Sequence, residues 1–236
     1  MSGISVAYAD DDVMLEGYFN SPGTRGNPGV LVVPSWLNVV ESTRRRADQL
    51  VELGYSAFVA DIFGAGVRPQ PPQPPQEVVG PFLSDRPRLR RRLLAGLTEL
   101  RRRPECQSDR VAAIGYCLGG CGVLELARAG VDLRGVVSLH GWLDTPTHAS
   151  PNTIAAKILV LHGDADQVAS LDDLDAFRAE MRASNANWEV EIYGGARHSF
   201  TGEGLLDGET PEAGLDPQSD IRSWRAMAAF LDEVLR

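Results

Sequence analysis

The sequence predicts an α/β fold: a mostly parallel, doubly wound sheet entered through an N-terminal antiparallel hairpin, with helices on both faces. Three observations carry that expectation. Runs such as "GVLVVPSW", "RVAAIG" and "AKILVLHGD" have strand length and are almost wholly apolar, as strands covered on both faces are. They alternate with longer segments whose apolar residues recur at helical spacing, which is the pattern of βαβ units with right-handed crossovers. At "AIGYCLGGCG" an apolar run passes into a helical one through glycines and a cysteine, a sharp strand-to-helix junction. With 236 residues, 43% of them hydrophobic, the chain suits one large domain spanning 1–236.

In chain order, "ISVAYA" and "VMLEGYFN" form the opening hairpin around "DDD", and "GVLVVPSW" is the first buried parallel strand. "ESTRRRADQLVELGY" follows as helix, "SAFVADIF" as strand, and "SDRPRLRRRLLAGLTELRRRP" as helix. In that last segment Leu89, Leu93, Leu97 and Leu100 repeat at helical spacing, so its arginines are expected to form the wet face of an ordinary helix. "RVAAIG" is a strand before the helix "CLGGCGVLELARAG". Strands are then expected at "RGVVSLHGW", "AKILVLHGD" and "WEVEIYGG", and helices at "SLDDLDAFRAEMRAS" and "SDIRSWRAMAAFLDEVL". Two stretches read as irregular: the proline-rich "GAGVRPQPPQPPQEVVGPF", expected to run over the surface, and the acidic, glycine-rich "TGEGLLDGETPEAGLDPQ".

Charge and cysteines exclude several classes. A formal charge of −9 opposes a general nucleic-acid surface, which needs a basic face. Of 23 basic residues, Lys157 is the only lysine, a skew that carries no functional weight. No leader pattern opens the chain and no window reaches the ~20 apolar residues of a membrane span, so a cytoplasmic protein with no membrane partner is expected. Cys106, Cys117 and Cys121 are too few for a disulfide framework. A metal site is not expected either, since no His or Cys pair complements Cys117 and Cys121.

The junction Gly115-Tyr116-Cys117-Leu118-Gly119 has the form G-x-C-x-G, the cysteine version of the nucleophile elbow. Flanking glycines let neighbouring chain pass close, the helix N-terminus favours a thiolate, and the Leu118 amide points where an oxyanion forms. A buried structural cysteine at a glycine-rich helix start is the competing explanation. In this architecture the chain order is nucleophile, acid, histidine. Among His140, His148, His162 and His198, the last fits the base, since it follows a strand and lies in glycine-rich "IYGGARHSF". His162 ends a strand and is expected to cap it or make a local hydrogen bond. The acid is Asp164 or Asp166 in "LVLHGDADQVAS", one of them a turn-former, with Asp144 after "SLHGW" a third option.

At these residues the chain resembles the dienelactone hydrolase family of the α/β-hydrolase fold. "LVVPSWLNV", "ADQLVELGYSAFVADIFGAG", "IGYCLGG", "VLHGDADQV" and "YGGARHSF" recur in the family's order over nearly the whole length. The resemblance implies Cys117 as nucleophile, Asp166 as the orienting acid, His198 as the base, and the amides of Leu118 and Trp36 as oxyanion donors. It implies hydrolysis of a small ester or lactone through an acyl thioester, without cofactor. Ser35 stands where the family often has a glutamate, and no arginine follows His198 in "HSFTGEG". Arg86 and Arg197 are the remaining candidates for holding a substrate's negative charge. The alternatives are another acyl hydrolase or acyltransferase on the same fold, a binding module that kept the fold, and a thiol redox protein using Cys121.

Overall fold

In a computed structural model of the protein, residues 3–70, 72–206 and 208–236 are described. Met1, Ser2, Pro71 and Asp207, which belong to the chain start and to the two irregular stretches, lie outside the described residues. Strands β1 (Ile4–Asp10) and β2 (Val13–Asn20) form the opening hairpin, with Asp10 opposite Val13. Asp11 turns it at φ 52°, a left-handed conformation that aspartate tolerates in a two-residue hairpin loop. The other strands are β3 (Asn27–Val33), β4 (Ser56–Val59), β5 (Cys106–Tyr116), β6 (Gly135–Leu139), β7 (Lys157–Gly163) and β8 (Trp188–Tyr193). They join one sheet in the order β1-β2-β4-β3-β5-β6-β7-β8. β2 meets β4 antiparallel, and every pair from β4 onward is parallel.

Alternation along the central strands explains why both faces carry helices. Leu31, Val33 and Ala113 point to one side, where they pack with Leu89, Leu93 and Leu97 of α3 (Arg86–Arg101) and with α4 (Leu118–Arg128). Val30, Val32, Ala112 and Ile114 point to the other, against α1 (Glu41–Glu52) and α6 (Pro217–Leu235). A strand segment that buries successive residues on opposite faces must read as uniformly apolar, which is why no polar alternation marks residues 30–33 of β3 or 111–114 of β5. Helix α5 (Leu171–Ala183) starts at a capping box in which Ser170 and Asp173 satisfy each other's amides.

Two expectations need correction. The proline-rich stretch is not wholly irregular, because Pro75–Leu83 is a helix, α2, burying Val78, Val79 and Phe82. Pro74 and Pro75 stand at its N-cap and first turn, where an amide would lack an intrahelical acceptor in any case. The arginine-rich α3 is not wet on its whole charged face, since Arg86 and Arg92 are buried and pair with Asp144 and Asp10.

Because the strands are parallel, the segments leaving the carboxyl ends of β3, β5, β6, β7 and β8 all emerge on one side. That side holds the candidate site.

Candidate active site

β5 ends at Tyr116 and α4 begins at Leu118, so Cys117 alone makes the change of direction, at φ 56° and ψ −115°. Such a conformation is costly for any residue with a Cβ and persists only where the surroundings enforce it. They do so through two close approaches. A Cβ on Gly115 would stand 2.0 Å from the Gly119 carbonyl oxygen, and a Cβ on Gly119 would stand 2.1 Å from that of Val33. The Cys117 amide donates to the Leu139 carbonyl at 3.0 Å, which ties the turn to β6.

His198 lies in the segment after β8. Its Nε2 is 3.2 Å from Cys117 Sγ and its Nδ1 is 2.9 Å from Asp166 Oδ2. The other oxygen of Asp166 accepts from the amides of Val168 at 2.8 Å and Ala169 at 3.0 Å, so the carboxylate is fixed from both ends. All three side chains are buried. Burial pulls the His198 imidazole down, but the Cys117 sulfur and the Asp166 carboxylate outweigh it and push it up to about 10. Burial raises Asp166, and the hydrogen bond and charge of His198 with the two amides overcome it, leaving Asp166 below its ordinary value.

The fold therefore brings Cys117, His198 and Asp166 together and leaves the other acids out. Asp164 is exposed, and the side chain that organises the turn after β7 belongs to Asp166 rather than to Asp164. Asp144 is exposed beside Arg86. Trp36 follows β3, lines the cavity and donates Nε1–H to the Gly204 carbonyl at 2.8 Å. Leu118 opens α4, where a first-turn amide has no intrahelical acceptor. Both residues follow neighbouring strands that pair Val33 with Gly115.

The three candidate substrate contacts lie elsewhere. Ser35 is fully buried under the Trp36 segment, where its hydroxyl accepts from the Leu37 amide at 3.4 Å. Arg86, 2% exposed, has its guanidinium against Cys121 Sγ and the Asp144 carboxylate. Arg197 is not among the described residues that line the cavity; it pairs with Glu209 at 2.5 Å and donates to the Thr210 carbonyl. His162, expected to cap its strand, is buried with neither ring nitrogen partnered among the described residues. His148 is exposed.

Two residues that sequence reasoning passed over touch the base. The His140 ring meets the His198 ring edge-on at 5.2 Å and bonds Thr201 Oγ1 through Nε2 at 2.8 Å. Burial, then the charge of His198, holds His140 well below its ordinary value, so it packs there as a neutral ring. Trp142 covers His198 from 5.7 Å. The available signal was position: "LHGW" leaves the carboxyl end of β6, the same edge that supplies the other site residues.

A cavity of about 760 Å³ opens on Cys117 and His198, within the range of small-molecule sites. Its walls are Trp36, Trp142, the proline-rich stretch with the start of α2, and the loop from Gly204 to Ala213. No group of three or more His, Cys, Asp or Glu side chains suited to a metal occurs among the described residues.

Similarity to known proteins identifies the family. The family model "Dienelactone hydrolase family" matches residues 15–235. A solved dienelactone hydrolase-like promiscuous phosphotriesterase from metagenomic libraries superposes with a TM-score of 0.90 at 30% identity, covering 99% of this chain and 98% of that one. A carboxymethylenebutenolidase homolog of Mus musculus is 24% identical over 76% of this chain and 73% of its own. An uncharacterized protein of Caenorhabditis elegans is 38% identical over 62% of this chain and 94% of its own.

Proposed function

This chain belongs to the dienelactone hydrolase family and is a hydrolase, and we propose that it cleaves small esters or lactones through Cys117, His198 and Asp166, with 1–236 acting as one domain. The observation that carries the proposal is the His198 ring, which reaches Cys117 Sγ at 3.2 Å and Asp166 Oδ2 at 2.9 Å at the floor of an open cavity.

His198 Nε2, 3.2 Å from Cys117 Sγ, takes the thiol proton, so that the reacting pair is a thiolate beside an imidazolium. The thiolate attacks the carbonyl carbon, and the pair of electrons displaced from the C=O bond forms an oxyanion held by the amides of Leu118 and Trp36. Collapse of that intermediate breaks the bond to the leaving oxygen, which takes the proton from His198 Nε2 and departs as the alcohol. In a lactone the alcohol stays attached to the acyl group. Neutral His198 then removes a proton from water as it attacks the thioester. The second oxyanion collapses to the acid and regenerates the thiolate. Asp166 holds the Nδ1–H tautomer throughout and stabilises the imidazolium.

A redox role for Cys121 is disfavoured by its place. The residue is fully buried, its Sγ faces Arg86, and burial pushes its thiol up to about 12. Two measurements test the proposal. Iodoacetamide is expected to label Cys117 ahead of Cys106, whose thiol burial pushes up to about 11, and ahead of Cys121. Cys117→Ala is expected to lower aryl-ester hydrolysis by at least ~10³-fold. Unchanged turnover in that variant would show that hydrolysis does not pass through Cys117, and no aryl-ester turnover by the unaltered protein would leave a binding module as the better description.

A further inference from the structure

The cavity wall carries information about substrate charge that the three floor residues do not. The chain has 23 basic side chains, yet neither Arg nor Lys is among the described residues that line the cavity at Cys117. Arginines on the neighbouring segments are engaged elsewhere. Arg86 is turned to Asp144 and Cys121, Arg197 to Glu209 and the Thr210 carbonyl, and Arg68 to the carbonyls of Val39 and Val67. The cation at the floor, the His198 imidazolium, is opposed by the Cys117 sulfur and the Asp166 carboxylate.

What faces the cavity instead is apolar, neutral and polar, or acidic, with Ser199 and Thr210 among the neutral polar residues. Pro72, Pro74 and Pro75 make one wall, and proline offers no N–H to an anion. The indoles of Trp36 and Trp142 make broad apolar contacts beside Cys117. Hydrogen-bonding capacity on the proline side comes from Gln73 and Gln76, which are neutral. Among the described residues, the charged groups that line the cavity from the opposite loop are Glu209, balanced by Arg197, and the exposed Glu212. A carboxylate entering this space would leave water for a wall that returns no cation and carries excess negative charge, so its desolvation is uncompensated.

Resting on the proposed acyl transfer to Cys117, we infer that the site takes uncharged acyl groups of aromatic size and discriminates against substrates that bear a carboxylate. Specificity lies in the two loops, with Glu212 opposing anions and the proline wall offering them neutral amides in place of a cation.

The test uses the 4-nitrophenyl ester of 4-carbamoylbenzoic acid and the mono-4-nitrophenyl ester of terephthalic acid, which match in shape and differ by one negative charge. With each rate normalised to hydroxide hydrolysis, kcat/KM is expected to favour the carbamoyl ester by at least about tenfold, a modest electrostatic discrimination. Glu212→Arg is expected to narrow that ratio by at least about fivefold. Equal or faster turnover of the carboxylate ester overturns the inference. Faster turnover of the matching aminomethyl ester overturns it as well, in favour of a cationic class. If the folded protein turns over none of these esters, the hydrolase proposal fails, and charge preference is read without turnover. Protection of Cys117 from iodoacetamide then compares 4-acetylbenzamide with 4-acetylbenzoate. The amide is expected to protect at several-fold lower concentration, and equal or better protection by the acid overturns the inference.

Discussion

The floor and the walls of the cavity are built by opposite means. At the floor, backbone sterics leave almost no choice: Cys117 is pinned at φ 56° by glycines that pass within contact distance of Val33 and of the helix itself, and Asp166 has both oxygens engaged. The walls are loops and the first turn of a short helix, where Pro72 to Gln76 and the stretch around Glu209 and Glu212 are exposed. A side chain at the floor is set by the fold, whereas a side chain on the wall can change without disturbing it. On the proposed function, chemistry and substrate choice fall to separate parts of the chain, an arrangement expected where a rigid scaffold presents variable loops.

The largest effect that would sharpen this contrast comes from the acid. Asp166→Asn keeps an oxygen for the amides of Val168 and Ala169 but presents an amide to His198, so the fold should survive. The proposed role predicts a loss of roughly 10²–10⁴ in kcat. Asp164→Asn, at an exposed position of the same turn, should change stability by less than about 0.5 kcal/mol and activity little. Melting temperature and esterase rate measured on both variants decide the matter. An inactive, folded Asp164→Asn beside an active Asp166→Asn would move the acid's role to Asp164.

Gly119→Ala comes next. In an ordinary helix this change gains stability, but here the new Cβ would stand 2.1 Å from the Val33 carbonyl oxygen. Overpacking of that kind costs about 1–3 kcal/mol. A chain of this size then melts lower by roughly 2–4 °C per kcal/mol. Activity should fall by about 10²-fold, because β3 and α4 must separate and carry the amides of Trp36 and Leu118 with them. A variant with wild-type melting and rate would show that the junction is looser than its contacts imply.

The smallest effect belongs to the wall. Gln76→Ala, at an exposed site in the first turn of α2, should leave the melting temperature within roughly 1 °C, as surface substitutions do. Its kcat/KM should move by less than about fivefold, by an amount that depends on the acyl group. A loss as large as that of Asp166→Asn, on every ester tried, would break the division between floor and wall.

Much of this organisation was legible in the residue pattern, and the parts that were not share a cause. β3, β5, β6 and β7 are recognisable because burial on both faces leaves uniformly apolar runs, and Cys117 because its flanking glycines are required by close backbone approach. Helix α2 was hidden because proline argues against helix everywhere except at the first turn, and whether Pro75 falls there depends on where the chain turns inward to bury Val79 and Phe82. Arg86 and Arg92 looked like solvated charge on α3; only the partners Asp144 and Asp10, distant in sequence, let them turn inward. His140 carried no spacing signal because its relation to His198 is a contact between rings from two different strand ends.

The sequence by itself determined the doubly wound sheet, the opening hairpin and the glycine-bounded junction at Cys117, because each rests on interactions between residues near one another in the chain: alternation, turn chemistry and local sterics. It also narrowed the acid to Asp164 or Asp166, with Asp144 as a third option. The tertiary structure sets Asp166 against His198, as the family resemblance implied, and only the tertiary structure packed His140 and Trp142 against that ring and turned Arg86 and Arg197 to other partners. Those outcomes depend on the direction in which a side chain leaves a loop and on which distant charge it meets, quantities that exist once the strand ends have converged.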